Sequence, residues 1–300
     1  MVKYTEPGLI EWLRRRVRLP RDARLIAGIG DDCAIFRPRG SPSDLLFTTD
    51  MFLEGVHFTR PGAGPADLGY KALARGLSDI AAMGGTPTFC LLSLALASRV
   101  SRRWIEDFYR GLLDHGVPLL GGDLARADRI MADIVVAGTV PRGTALRRDG
   151  ARAGDSIYVS GRLGTSALGL ATRRGRAWQI HKRPEPRLAL GRFLREKLHA
   201  TAAMDLSDGL SLDLQRLASA SGLRAEIVMP PVFPGASREQ ALHGGEDYEL
   251  LFTLRPRTRV PRSFGGVALT RIGTMRKGIA GDVTLDGAPL LPLGYDHFRS

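Results

Sequence analysis

The sequence predicts a two-domain protein of the α/β (or α+β) class, and three observations carry that prediction. At 300 residues the chain is about twice the ~150 residues of an average domain. Strand-like and helix-like patterns alternate along it, which requires helices packed on sheets. Pro141-Arg142-Gly143 then interrupts the pattern and a second alternating series follows, so the boundary falls between residues 1–143 and 144–300.

In the first part, residues 8–18 have the spacing of a short amphipathic helix. Residues 45–49 follow a turn-rich stretch and read as a strand. Over residues 67–83, Leu68, Ala72, Leu73, Leu77, Ile80 and Ala81 share one helical face. Residues 88–97 read as a strand, and Ser101 is placed to cap a helix ending near His115. Strands at 118–120 and 130–140 complete this part. The second part begins with a strand at 156–160 and continues with helices at 165–172, 187–198 and 209–220. Strands near 225–228, 249–254 and 267–272 follow.

Composition narrows the function. No apolar run reaches the ~18 residues that span a bilayer. The first sixteen residues lack the apolar core of a signal peptide. Cys33 and Cys90 are too few for a disulfide framework. A cytoplasmic protein without a membrane partner is therefore expected. The net charge of +12 comes mostly from arginines dispersed along the chain. No zinc-finger spacing or aromatic RNA-binding motif accompanies it, so it reads as a basic surface that attracts anionic substrates rather than nucleic acid.

In so basic a chain the informative residues are acidic. Asp31 and Asp32 follow Gly28-Ile29-Gly30, Asp50 follows the strand-like Leu46-Phe47-Thr48-Thr49, and Asp79 follows Ser78. Asp123 follows Gly121-Gly122, Asp205 and Asp208 bracket Ser207, and Glu246-Asp247 follow Gly244-Gly245. Each cluster falls at an expected strand end or tight turn. Any one of them, alone, is equally a helix cap or a turn former. Together they describe a shared site for Mg²⁺, a hard cation that takes carboxylate, phosphate and water oxygens. Several carboxylates imply several ions on a polyphosphate, with glycines letting backbone N–H groups approach it. No Walker-A loop, dinucleotide fingerprint or protein-kinase signature is present, and the histidines lack metal-ligand spacing. Cys33 has no adjacent base and reads as packing rather than nucleophile.

The stretches that carry these residues resemble the thiamine-monophosphate kinase family, within the superfamily of aminoimidazole ribonucleotide synthetase and selenophosphate synthetase. They are Gly28 to Ala34, Thr48-Thr49-Asp50 with Gly55 to Phe58, Lys71 to Ala74, Leu77 to Gly84 and Gly121-Gly122-Asp123. Arg148 to Ala151 with Gly154-Asp155, Met204 to Leu210, Gly244 to Leu250 and Gly294 to Phe298 continue the series across nearly the whole chain. The resemblance implies transfer of the γ-phosphoryl of ATP onto thiamine monophosphate. It implies Mg²⁺ ligation by Asp32, Thr48, Thr49, Asp50, Asp79, Asp123, Asp205 and Asp208, with Asp50, Asp123 and Asp205 central to catalysis. Gly122, Asp123, Arg148 and Ser207 would contact ATP, and His57, Glu246 and Tyr295 the thiamine phosphate.

The resemblance further implies an N-terminal mixed-sheet domain that carries the metal and phosphate site and pairs with a second copy into a dimeric barrel. A C-terminal α/β domain would close over nucleotide and substrate. On its own, His57 fits a structural histidine as well as a ligand, and Tyr295 fits a core anchor. Two departures stand out. Gly76, where relatives often carry a polar residue, is expected to loosen its helix. The stretch before Gly244 is short, which bears on how the substrate pocket closes. Another ATP-dependent enzyme of the superfamily, such as an aminoimidazole ribonucleotide synthetase, and a non-catalytic nucleotide binder are the alternatives.

Overall fold

The computed structural model describes residues 5–17 and 22–298. The first part opens with helix α1 (Glu6–Arg16), in which the Thr5 hydroxyl accepts the Gly8 N–H. Strands β1 (Leu25–Ala27), β2 (Ala34–Phe36) and β3 (Ser43–Leu53) lead into helix α2 (Pro65–Ala82). Then come β4 (Thr86–Ala97), α3 (Arg102–Leu113), β5 (Leu119–Ala127) and β6 (Met131–Pro141). The sheet order is β1-β2-β3-β6-β4-β5, antiparallel except where β4 meets β5.

The second part supplies β7 (Ser156–Ser160), α4 (Thr165–Thr172), α5 (Gly175–Lys182) and α6 (Leu188–Phe193), which runs on as a π-helical turn, Leu194–Leu198. β8 (Ala202–Asp205), α7 (Leu210–Ala220), β9 (Arg224–Ile227), α8 (Arg238–His243) and β10 (Leu250–Leu254) follow. β11 (Ser263–Phe264), β12 (Val267–Arg276), β13 (Val283–Leu285) and β14 (Ala288–Pro289) end the fold. Its sheet runs β14-β13-β9-β12-β7-β10-β8, with β11 joined to β12. The fold is thus two mixed sheets with helices, as the alternating pattern predicts. Among the described residues no helix is long and apolar enough to cross a membrane.

Helix α2 organises the molecule. Pro65 opens it, where its missing N–H costs nothing. Leu68, Leu73, Leu77 and Ile80 are buried in the core of the first sheet. Ala81 and Ala82 belong to a separate core with Leu190 of α6, Leu194 of the π-helical turn after it and Phe252 of β10. The helix is therefore wedged between the two sheets. Helix α3 crosses it so closely that a Cβ on Gly69 would meet the Phe108 carbonyl oxygen at 1.9 Å, and one on Gly111 the Ala66 carbonyl oxygen at 1.8 Å. The Ser101 cap of α3 is as read from the sequence, its hydroxyl accepting the Trp104 N–H.

Several sequence expectations are corrected here. Gly76 does not loosen α2, which is continuous. A Cβ there would lie 2.7 Å from a methyl of Val136 on β6, so the glycine lets the helix settle on the sheet. The strand read at 118–120 extends to Ala127, and that read at 45–49 extends to Leu53. Asp50 and Asp123 consequently lie within strands rather than at their ends. β1, β2, β8, β11, β13 and β14, all at most four residues long, and the short α5 and α8 went unread.

Candidate active site

Three carboxylates from three places meet between the sheets. Asp32 comes from the turn before β2, Asp79 from α2 and Asp205 from the end of β8, with one oxygen of each within 4.8 Å of the others. Asp32 and Asp205 are buried. Burial, then the neighbouring carboxylates, raises Asp79 and Asp205 well above the ordinary carboxylate range. Burial, with Asp32 alongside, pushes Asp31 up to about 7. The cluster is tied together by donors: Ser78 Oγ to Asp205 at 2.7 Å, Thr48 Oγ1 to Asp79 at 2.5 Å, and the Arg148 guanidinium to Asp32. Asp32 Oδ2 remains buried without a partner among the described residues. Clustered carboxylates with a spare oxygen could hold a cation, and an all-oxygen donor set fits a hard divalent ion.

A cavity of about 640 Å³ opens in front of this cluster. Its acidic end is lined by Asp50, Asp79, Asp205 and Asp208. Arg75 pairs with Asp50 at 3.2 Å and Arg216 with Asp208 at 2.5 Å. His57, Glu246 and Tyr295 line the cavity as well. His57 Nδ1 accepts the Leu53 N–H at 3.0 Å. Burial, then Arg75, holds this ring down to about 3. It is therefore neutral near pH 7, with its proton on Nε2. Tyr295 meets His297 edge-on at 4.9 Å, and His297 meets His57 at 5.2 Å.

The loop bearing Glu246 is fixed by its own sequence. Asp247 accepts the N–H groups of Gly164 and Ser166 at 2.6 and 2.9 Å, capping the start of α4. The Glu246 N–H donates to the Ser207 carbonyl at 2.7 Å. Glu246 and Tyr248 adopt left-handed backbone angles of +64° and +50°, a strained choice for such side chains that is concentrated at ligand sites.

Two family models describing AIR synthase related proteins match the chain, the N-terminal domain over residues 30–140 and the C-terminal domain over 152–285. The thiamine-monophosphate kinase of Escherichia coli K12 is 41% identical, with 95% of each chain covered. That of Bacillus subtilis is 34% identical, covering 91% of this chain and 93% of its own. The chain belongs to the thiamine-monophosphate kinase family. The structure of AaThiL complexed with AMPPCP and TMP superimposes with a TM-score of 0.85 at 32% identity, covering 98% of this chain and 97% of that one.

For a thiamine-monophosphate kinase relative, most of the residues singled out from the sequence converge. Asp32, Thr48, Asp79 and Asp205 form the acidic cluster with Arg148, and Asp50, Ser207, Asp208, His57, Glu246 and Tyr295 line the cavity. Three are not among the residues of the cluster or of the cavity lining. Thr49 lies on the opposite face of β3 from Thr48 and donates to Asp133 at 2.7 Å. Gly122 and Asp123 sit on the exposed edge strand β5. Gly122 has a packing reason of its own, since a Cβ there would lie 1.8 Å from the Leu92 carbonyl oxygen of β4. Sequence reasoning missed Lys71, Arg75, Ser78 and Arg216 as partners of the acids. For Arg75 a signal was present, because it stands four residues before Asp79 on one helix.

Proposed function

We propose that this chain transfers the γ-phosphoryl of ATP to the phosphate of thiamine monophosphate, giving thiamine diphosphate and ADP. The observation that carries this is the superposition, over nearly the full chain, on a relative holding an ATP analogue and TMP, with the acidic cluster facing one shared cavity. Mg²⁺ ions would be held by Asp32, Thr48, Asp50, Asp79, Asp205 and Asp208, joined in this reading by Thr49 and Asp123, and would neutralise charge on the transferring group. Arg148 grips phosphate with a planar fork, and its buried Nε, 4.0 Å from Asp31, makes no hydrogen bond among the described residues. Ser207, with Gly122 and Asp123, completes the ATP contacts. Neutral His57, the Glu246 carboxylate and the Tyr295 ring receive the thiamine phosphate. The acceptor is already an anion, so no strong base is required, and alignment with charge neutralisation supplies the rate.

The test is ATP consumption with thiamine monophosphate, with and without Mg²⁺, the products identified by chromatography. Thiamine diphosphate and ADP, formed only with Mg²⁺, are expected. ATP left unconsumed in the presence of thiamine monophosphate and Mg²⁺ overturns the reading.

In this reading residues 1–143 carry the metal site and the dimer contact, and residues 144–300 close over nucleotide and substrate. Homodimerisation through the first sheet is supported by its edge strand β5, where Leu120 and Leu124 are 65% and 67% exposed, and by Met51, 54% exposed, on β3. Gly122 and Asp123 lie on this same strand. A Leu120→Asp/Leu124→Asp variant is expected to sediment as a monomer where the unaltered chain sediments as a dimer. A monomeric unaltered chain removes the dimer from the proposal. The enzyme works in the cytoplasm in this reading, in keeping with two buried free cysteines.

A further inference from the structure

Lys71 is a buried charge that the proposed reaction does not use. It is 3% exposed, and its ammonium donates to Glu246 Oε2 at 2.8 Å and meets His181 Nε2 at 3.3 Å. An ammonium only donates, so Nε2 of His181 accepts and Nδ1 carries the ring proton. That proton is directed to Ser166 Oγ, 2.7 Å away. Trp178 stacks on the His181 ring at 5.1 Å. The ammonium is thus anchored from α5 and, through Ser166, from α4.

Burial alone would push the Glu246 carboxyl up, yet Lys71, His181 and Arg75 hold it at about 2. One oxygen is spent on Lys71. The other, Oε1, has no partner among the described residues and belongs to a side chain that lines the cavity. At ~1.5 Å of rise per residue, Lys71 stands about 12 Å along α2 from Asp79. Helix α2 therefore supports two parts of the cavity wall, the acidic cluster through Asp79 and Glu246 through Lys71.

We propose that Lys71, braced by His181 and Ser166, is a positioning residue: it orients the Glu246 carboxylate so that Oε1 receives the donor-bearing, cationic end of the substrate. This deepens the proposed function and rests on it. The groups that face Glu246 are Lys71 and Arg75 from α2, His181 from α5, His57 after β3, and Tyr248 and Tyr295.

The test compares the full chain with Lys71→Met, Glu246→Gln and the double variant, using thiamine monophosphate, ATP and Mg²⁺. Lys71→Met is expected to raise KM for thiamine monophosphate roughly 30- to 100-fold, since truncating one partner of a buried charge pair costs that much or more. KM for ATP stays unchanged and kcat stays within a few-fold. In Lys71→Met the carboxylate loses its counter-charge, so KM falls as pH rises from 5 to 8. The unaltered chain and the Glu246→Gln variant lack this limb. Adding Lys71→Met to Glu246→Gln changes KM no further. An unchanged KM and pH profile in a Lys71→Met protein that still binds ATP overturns the proposal, as does additivity in the double variant. If Lys71→Met does not fold, the double variant, which buries no unpaired carboxylate, supplies the comparison with Glu246→Gln. An unaltered chain that forms no thiamine diphosphate overturns the proposed function itself, and this inference with it.

Discussion

Asp205→Asn is expected to lower kcat by at least ~10³-fold while making the metal-free protein harder to melt. Both effects come from the same carboxylate. Asp205 is 2% exposed and shares a 4.8 Å space with Asp32 and Asp79. Its pKa in the folded chain is raised, by burial first and Asp32 next. A carboxyl whose pKa is higher folded than unfolded favours folding below the ordinary carboxylate range, where both states hold the proton. That favour is lost as pH rises through the raised value. At neutral pH the metal-free cluster therefore works against the fold. Asparagine keeps the shape and removes the ionisation, so Tm without Mg²⁺ should rise by at least ~2 °C, a gain that disappears below about pH 4, near the unfolded carboxyl pKa. Added Mg²⁺ should stabilise the unaltered chain more than the variant. Calorimetry with and without EDTA, alongside the kinase assay, measures both. Near-normal turnover in Asp205→Asn and in Asp50→Asn would remove the acidic cluster from the reaction.

Gly111→Val is expected to cost the fold more than ~3 kcal/mol, seen as a fall in Tm of ~6 °C or more. Its Cβ would be forced to 1.8 Å from the Ala66 carbonyl oxygen, a backbone atom of α2 that cannot rotate away. The reciprocal contact of Gly69 on the Phe108 carbonyl prevents α3 from sliding aside. What gives way is the spacing of α2 and α3, and α2 carries Asp79, Arg75 and Lys71. Turnover should fall even at temperatures where the variant is still folded. Gly116→Ala is the control, a left-handed position with open space around it, where a loss of only about 1 kcal/mol is expected. Equal melting of the two variants would show that the crossing tolerates a side chain.

The comparison of these glycines shows what the sequence could reveal. The helical core of α2 was legible because its apolar residues recur at 3.6-residue spacing. The α3 cap was legible because serine at that position satisfies an exposed N–H. Strands of three or four residues, such as β1, β2 and β8, present no period to read. Gly121-Gly122 looked like the end of a strand because glycine commonly punctuates one, whereas Gly122 lies inside β5 for want of room beside Leu92. The acids were legible as a group, but their individual duties were not. Asp247, next to Glu246 in sequence, turns away to cap α4, which is the ordinary role open to any such aspartate. Lys71 was legible only as part of the family-like stretch Lys71 to Ala74, since nothing local to a helix announces that a partner 175 positions later will bury it.

The hydrogen bond from Ser78 to Asp205 joins helix α2 of the first part to the second sheet beside the acidic cluster, and that has a consequence for how the enzyme is made. A chain leaving the ribosome N-terminus first completes Asp32 and Asp79 long before Asp205 and Arg148's surroundings exist. The half-finished product has an open pair of acids with neither the third carboxylate nor a cavity to bring two substrates together. In the proposed reading, competence to spend ATP arrives with the docking of the last-made sheet, so a chain truncated before Asp205 is expected to show no kinase activity.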